Sequence, residues 1–358
     1  LNDPASYLRL NGIAKVSKVS ISADNTTGKL EIAQDSIIET FSHSGSSRID
    51  IADTKTLTLN NAFEIPSGKS MELLGTGGGT LSLADKLTLS GTLKVNAAYT
   101  IKDGTIELGE ASLLDADYNT SIASNILISG NSTIDIASGV NLIYEGVVID
   151  LLNFQLTMLG SGTFSNTNSI LLSVSDSLLI IAGDVTIAKI KVAANSAEGK
   201  GLLVRSTDAN VTNLNLLADM RLSYSDDSHE LNVENLNVDS TSKIIGDDSE
   251  GWLLVTEVVQ QADVILTLQD VNVRVKKELK IDYKDQVVMT GSTVFEIGGG
   301  LTFNVSGTMN FNRSMIANIN LNGGTMCVTD NVTISGEIRH TATNSTIFIA
   351  PDKVLTYE

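Results

Sequence analysis

A chain of 358 residues with 42% hydrophobic residues, three prolines and a single cysteine can bury a large core but has no internal disulfide framework. Its net charge of −18 is spread as single Asp and Glu residues, which excludes the concentrated Lys/Arg footprint that a nucleic-acid partner needs. No stretch approaches the roughly 20 apolar residues of a membrane span, and hydrophobicity at this level excludes a disordered chain.

Residues 1–60 begin loosely and settle into short alternating runs, AKVSKVSIS, KLEIA, SRIDIA and TLTLN, with the turn-like breaks ADNTTG and SHSGSS between them. Pro66 cannot donate to a ladder and belongs at a strand edge or corner. The rule is clearest from Gly77 to Gly109, where Leu81/Leu83, Leu87/Leu89, Leu93/Val95, Tyr99/Ile101 and Ile106/Leu108 fall as pairs two residues apart. Period two means strand, because successive side chains point to opposite faces. The spacing of the pairs leaves room for strands of about three to five residues, joined by corners and not by helices. Residues 111–124, ASLLDADYNTSIAS, are expected to leave this pattern as a longer excursion. The segment GWLLVTEVVQQAD, from Gly251, reads as a short helix or a strand pair, since Trp252, Val255 and Val259 also fit a period of about 3.6. Crisp alternation returns in Val264/Leu266/Leu268 and Val271/Val273/Val275.

The clearest internal repeat is apolar-x-apolar-Ser-Gly: LTLSG (87–91), ILISG (126–130), FNVSG (303–307) and VTISG (332–336). Glycine accepts backbone angles barred to other residues, so Ser-Gly after a strand reads as a corner. The copies are unequally spaced, which disfavours a strict hexapeptide helix and favours an all-β, right-handed parallel β-helix (β-solenoid) with irregular corner loops. One coil cannot bury its own inward stripe, whereas stacked coils form a continuous aliphatic ladder. Coils of about 20 to 25 residues would give roughly 14 to 18 of them. The chain therefore reads as a single elongated solenoid over 1–358. It begins and ends inside strand-like pattern, SYLRL and KVLTYE, as an excised segment of a longer chain would. The competing fold is a pair of antiparallel sandwiches or a large barrel, for which hairpin Asn-Gly occurs only at Asn11-Gly12 and Asn322-Gly323.

Runs such as KLTLSGTLKV, TIDIASGVNLIYEG and EIGGGLTFNVSGTMNF resemble the passenger regions of large bacterial surface proteins of the autotransporter and filamentous-haemagglutinin kind. The resemblance covers most of the chain as texture and matches no site motif. It implies a right-handed β-helical stalk used in adhesion, biofilm formation or surface display. The expected function is that of a non-enzymatic extracellular structural or adhesive element at a bacterial cell surface. Its partners would be adjoining solenoid modules or copies of itself, with host-cell or matrix glycans beside them.

The alternative is a carbohydrate-active β-helix such as a phage tailspike or a polysaccharide lyase or hydrolase. Sugar hydrolysis needs two carboxyl groups about 5 to 10 Å apart. The densest acidic sites are Asp115 with Asp117, Asp226 with Asp227 and Glu230, and Asp247 with Asp248 and Glu250. All lie in polar breaks and read as solvated corners. His229 beside three carboxylates could hold a metal, but one loop does not supply ligands from distant segments. Asp-rich corners on an acidic chain could bind calcium weakly, although the GGxGxD calcium repeat is not present. His43 and His340 are isolated, and Cys327 within TMCVTD reads as a small apolar core residue. The basic run Arg274, Lys276, Lys277, Lys280 and Lys284 is interleaved with Glu278, Asp282 and Asp285 and reads as a solvated strand face. Thr-x-Thr pairs at 54–58 and 341–343 are too scattered for an ice-binding array. No catalytic, cofactor-binding or metal-binding residue is assigned, and no cofactor is expected beyond weakly held calcium.

Overall fold

The computed structural model describes residues 1–24, 27–75, 77–247, 251–261, 263–276, 279–281, 286–290, 294–297, 302–305, 308–311, 315–316, 318–321 and 323–358. These residues form strands and corners without a helix, and their parallel sheets stack as a β-solenoid of about 14 turns. The described pairings are parallel, which removes the antiparallel sandwich and barrel. The chain divides into two compact units, Leu1–Ile170 with Ala182–Ala188, and Leu171–Ile181 with Lys189–Glu358.

In the first unit a coil takes three short strands. Ser70–Leu74, Gly79–Leu83 and Lys86–Leu89 make one circuit, and Thr92–Val95, Tyr99–Lys102 and Thr105–Leu108 repeat it one rung on. Alternation then aligns apolar residues across coils. Leu30, Ile49, Leu73, Val95, Ala116 and Ile136 are consecutive partners in register, each 0% exposed. Such a side chain contributes roughly 1.5 to 3 kcal/mol when buried, but only because the neighbouring coils close over it. Segment 111–124 does not leave the stack: Ser112–Ala116 and Thr120–Ile122 pair with coils on both sides. Its alternation is hard to see because the inward positions include the small residues Ser112 and Ala116.

Coil length varies, as the spacing of the Ser-Gly copies suggests. Partners in register are 19 residues apart at Leu30 and Ile49 but 24 apart at Ile49 and Leu73. Ser90-Gly91 and Ser129-Gly130 are corners, yet neither glycine has a positive φ. Their reason is room: a Cβ on Gly91 would lie 2.2 Å from the Lys69 carbonyl oxygen, and one on Gly130 2.3 Å from the Glu110 nitrogen. Gly336, by contrast, has a φ of 143°, and Ser306-Gly307, like Asn322, lies outside the described residues. Pro66 follows the strand Phe63–Ile65 and accepts the Lys69 N–H across the corner at 3.0 Å.

The second unit contains the longest strands, Ala209–Leu216, Glu230–Val238 and Trp252–Gln260. The helix reading of residues 252–260 is corrected by their ladder: Leu253 and Val255 pair with Leu231 and Val233 and are closed to water. The helical appearance has a local cause. In Ala209–Leu216 the inward residues are Ala209, Val211, Leu214 and Leu216, so the step of two becomes three where the strand rounds a corner.

Candidate functional surfaces

Residues between the inward positions stack on the outside one coil apart, at about 4.8 Å, so their chemistry is set by what occupies the same register in the next coil. In the first unit Arg48, Glu72, Lys94, Asp115 and Asp135 form one outward column. Arg48 Nε lies 3.1 Å from Glu72, and Lys94 Nζ lies 3.0 Å from Asp117 and 3.5 Å from Asp115. The first carboxylate pair from the sequence is therefore tied to a lysine one coil back. Burial, and then the charge of Asp117, pushes the Asp115 carboxyl up.

The second acidic group folds upon itself. The Ser228 N–H and hydroxyl donate to Asp226 at 2.9 and 2.7 Å, the His229 N–H donates to the Asp226 carbonyl, and the Ser225 hydroxyl meets His229 Nδ1 at 3.2 Å. The Ser228 N–H holds the Asp226 carboxyl below the usual range. Glu230 opens the strand Glu230–Val238, paired with Trp252. Asp248 and Glu250 lie outside the described residues. Among the described residues no group of three or more His, Cys, Asp or Glu side chains could hold a metal ion.

Two residues of the basic run reach side chains of earlier coils. The Arg274 guanidinium sits 4.5 Å from the centre of the Trp252 ring, and Lys276 donates to Asn232 Oδ1. Lys277, Glu278, Asp282, Lys284 and Asp285 lie outside the described residues, and Lys280 is described in its backbone only. Beside this cluster runs a feature that the sequence reading missed. Asn235 donates to Asn213 at 3.3 Å and Asn237 to Asn215 at 2.7 Å, while Asn232 donates to Asp208 at 2.9 Å. Its signal is a 22-residue repeat of Asn-Val-x-Asn-Leu-Asn, at Asn210–Asn215 and Asn232–Asn237, which marks one coil.

The isolated histidines separate. His340 is exposed at the end of Ile338–His340, whereas His43 is buried at 7% exposure with Nε2 2.8 Å from the Ser47 hydroxyl. Burial pushes His43 down to about 4. An unfolded chain, in which histidine titrates near 6.5, takes up a proton that the folded one refuses until about pH 4. Stability from this group is complete above about pH 6.5 and falls between 6.5 and 4, by on the order of 3 kcal/mol. Urea unfolding at pH 7 and pH 4.5 should show a smaller loss in His43→Gln than in the parent chain; equal losses would refute the assignment.

Cys327 is not a core residue. In Thr325–Val328 the inward pair is Met326 and Val328, and Cys327 faces outward, half-buried, with its thiol pushed up by burial. Two shallow grooves cross one outer face of the first unit. One of about 250 Å³ is lined by Thr100, Asn119, Ser121 and Ile143, and another of about 380 Å³ by Lys15, Asp35, Ile37, Thr56 and Thr58. Register brings Thr56, Thr80, Thr100 and Ser121 into one hydroxyl column between them. No helix among the described residues is long and apolar enough to cross a membrane.

These features define a parallel β-solenoid whose outer faces are built from inter-coil ties. Comparison of the chain with protein-family models, curated proteins and solved structures finds no match in any of the three.

Proposed function

We propose that the protein is a non-enzymatic structural or adhesive β-solenoid of a bacterial surface, serving as a stalk, surface filament or surface-layer element outside the cell. What supports this reading is that outward polar groups are joined from coil to coil. Arg48 holds Glu72, Lys94 holds Asp115 and Asp117, and the Asn213–Asn235 and Asn215–Asn237 pairs do the same with amides. Groups used this way stiffen a stack. Each exposed ion pair is worth at most about 1 kcal/mol, but many in one direction resist separation of coils. Adjoining solenoid modules, copies of the chain and surface glycans are the partners this role requires. The test is incubation with a panel of neutral and acidic polysaccharides, read by new reducing ends and by unsaturated products. No product is expected. Turnover abolished by Asp226→Ala together with Asp227→Ala would establish a carbohydrate-active enzyme instead.

A further inference from the structure

Lys15, Lys29, Lys69, Lys86, Lys94 and Lys353 each meet a carboxylate, whose carbon resists attack by an amine. Lys276 meets a side-chain amide, whose carbon is open to it. Its Nζ lies 2.5 Å from Asn232 Oδ1, and Asn232 Nδ2 donates to Asp208 Oδ1 at 2.9 Å. A lysine only donates and an ionised aspartate only accepts, so these two partners fix which end of the amide faces which. The amide carbon is one C=O bond, about 1.2 Å, beyond the oxygen that Nζ touches. Amine and carbon are thus close to the roughly 3 to 3.5 Å of a near-attack geometry.

Register sets this meeting. Asn232, Leu254 and Arg274 are consecutive outward partners, and Lys276 follows the strand Asn272–Val275, so the contact spans the coil between. Leu254, on that middle coil, is only 5% exposed although it faces outward, which gives Asn232 an apolar neighbour on the side from which Lys276 comes. Lys276 is fixed at its own end as well, where its N–H donates to the Val255 carbonyl at 2.7 Å.

We propose that Lys276 and Asn232 join in an isopeptide bond, a covalent staple across three successive coils, with Asp208 relaying the proton. The neutral amine adds to Asn232 Cγ. The attacking nitrogen gives up a proton through Asp208, which passes it to Nδ2; the Cγ–Nδ2 bond breaks, and ammonia departs. An amide and an amine become a secondary amide and ammonia, with no oxidant, reductant or cofactor. Holding the groups together converts a very slow reaction between strangers into an intramolecular one, and a positioned carboxylate adds general acid–base catalysis. The staple rests on this geometry and is independent of the adhesive role.

Intact-mass spectrometry of the full chain, incubated at pH 7.5 and at pH 9, tests it. The folded parent is expected to lose the mass of one ammonia, faster at pH 9, where more of the amine is free; in urea, with the groups apart, it should lose none by this route. Tandem spectra should show a branched peptide joining the segments that carry Asn232 and Lys276. This separates the staple from a cyclic imide at Asn11-Gly12, which also releases ammonia but leaves the chain unbranched. Lys276→Arg and Asn232→Ala should abolish the branched peptide, and Asp208→Ala should slow its appearance by at least about tenfold. Far-UV circular dichroism checks that the variants fold, and Lys276→Gln, at an exposed position, replaces any that does not. A folded parent without the branched peptide after prolonged incubation at pH 9, or a rate unchanged by Asp208→Ala, would overturn the proposal.

Discussion

Replacing Gly130 by valine is expected to lower the free energy of unfolding by about 4 kcal/mol, while Gly12→Val shifts it by less than about 0.5 kcal/mol. A Cβ at Gly130 would stand 2.3 Å from the Glu110 nitrogen and 2.7 Å from both the Glu110 Cα and the Gly109 carbonyl carbon. These atoms are backbone of the preceding coil and cannot rotate aside. The φ of Gly130 is not positive, so the penalty is overlap and not backbone strain. Relief would require lifting one coil from another where the Ser129 N–H donates to the Leu108 carbonyl at 2.9 Å. Gly12 is exposed, and an added Cβ there meets nothing within 4 Å. Because each coil of a solenoid contacts mainly its neighbours, the damage should stay local. Hydrogen exchange should accelerate between residues 105 and 136 and stay unchanged in the second unit. Equal urea midpoints for the two variants would show that close contact between coils does not fix this corner.

That corner shows what the sequence reveals and what it hides. Period two survives in strands as short as Phe63–Ile65, so the inward stripe through Leu81, Leu87 and Leu93 and the solenoid built on it can be read directly. The Ser-Gly corners can be located too, but their reason cannot, because the atoms that exclude a Cβ belong to a segment about twenty residues earlier. Cys327 reads as a core residue because a small thiol suits a core, but the larger Met326 and Val328 set the phase of that strand and turn it outward. Residues 252–260 mimic a helix because alternation slips by one residue at a corner, which only the register with Glu230–Val238 reveals. The carboxylates carry the same lesson. Asp115 and Asp117 look like a local pair, but both are also tied to Lys94, one coil away. The asparagine ladder was legible as a 22-residue repeat, yet its meaning needs two coils side by side.

Truncation of Tyr144 to alanine is expected to cost about 4 kcal/mol, and Tyr144→Phe about 1 to 2 kcal/mol. Tyr144 ends the strand Asn141–Tyr144, is 0% exposed and stacks on Phe164 in the following coil, with ring centres 6.1 Å apart and planes 16° apart. Its hydroxyl oxygen accepts the Ile126 N–H of the preceding coil at 3.0 Å. Gly146 makes room for it, since a Cβ there would lie 2.5 Å from that oxygen. Burial raises the hydroxyl above the usual phenol range. The alanine variant leaves a cavity between coils that cannot collapse without shifting the ladder, whereas the phenylalanine variant keeps the ring and leaves the Ile126 N–H without its acceptor. The difference between the two urea midpoints separates ring packing from the hydroxyl. A phenylalanine variant as stable as the parent would show that the Ile126 N–H finds another acceptor. A measurable loss would establish that this tyrosine ties three successive coils, by a ring on one side and a hydrogen bond on the other.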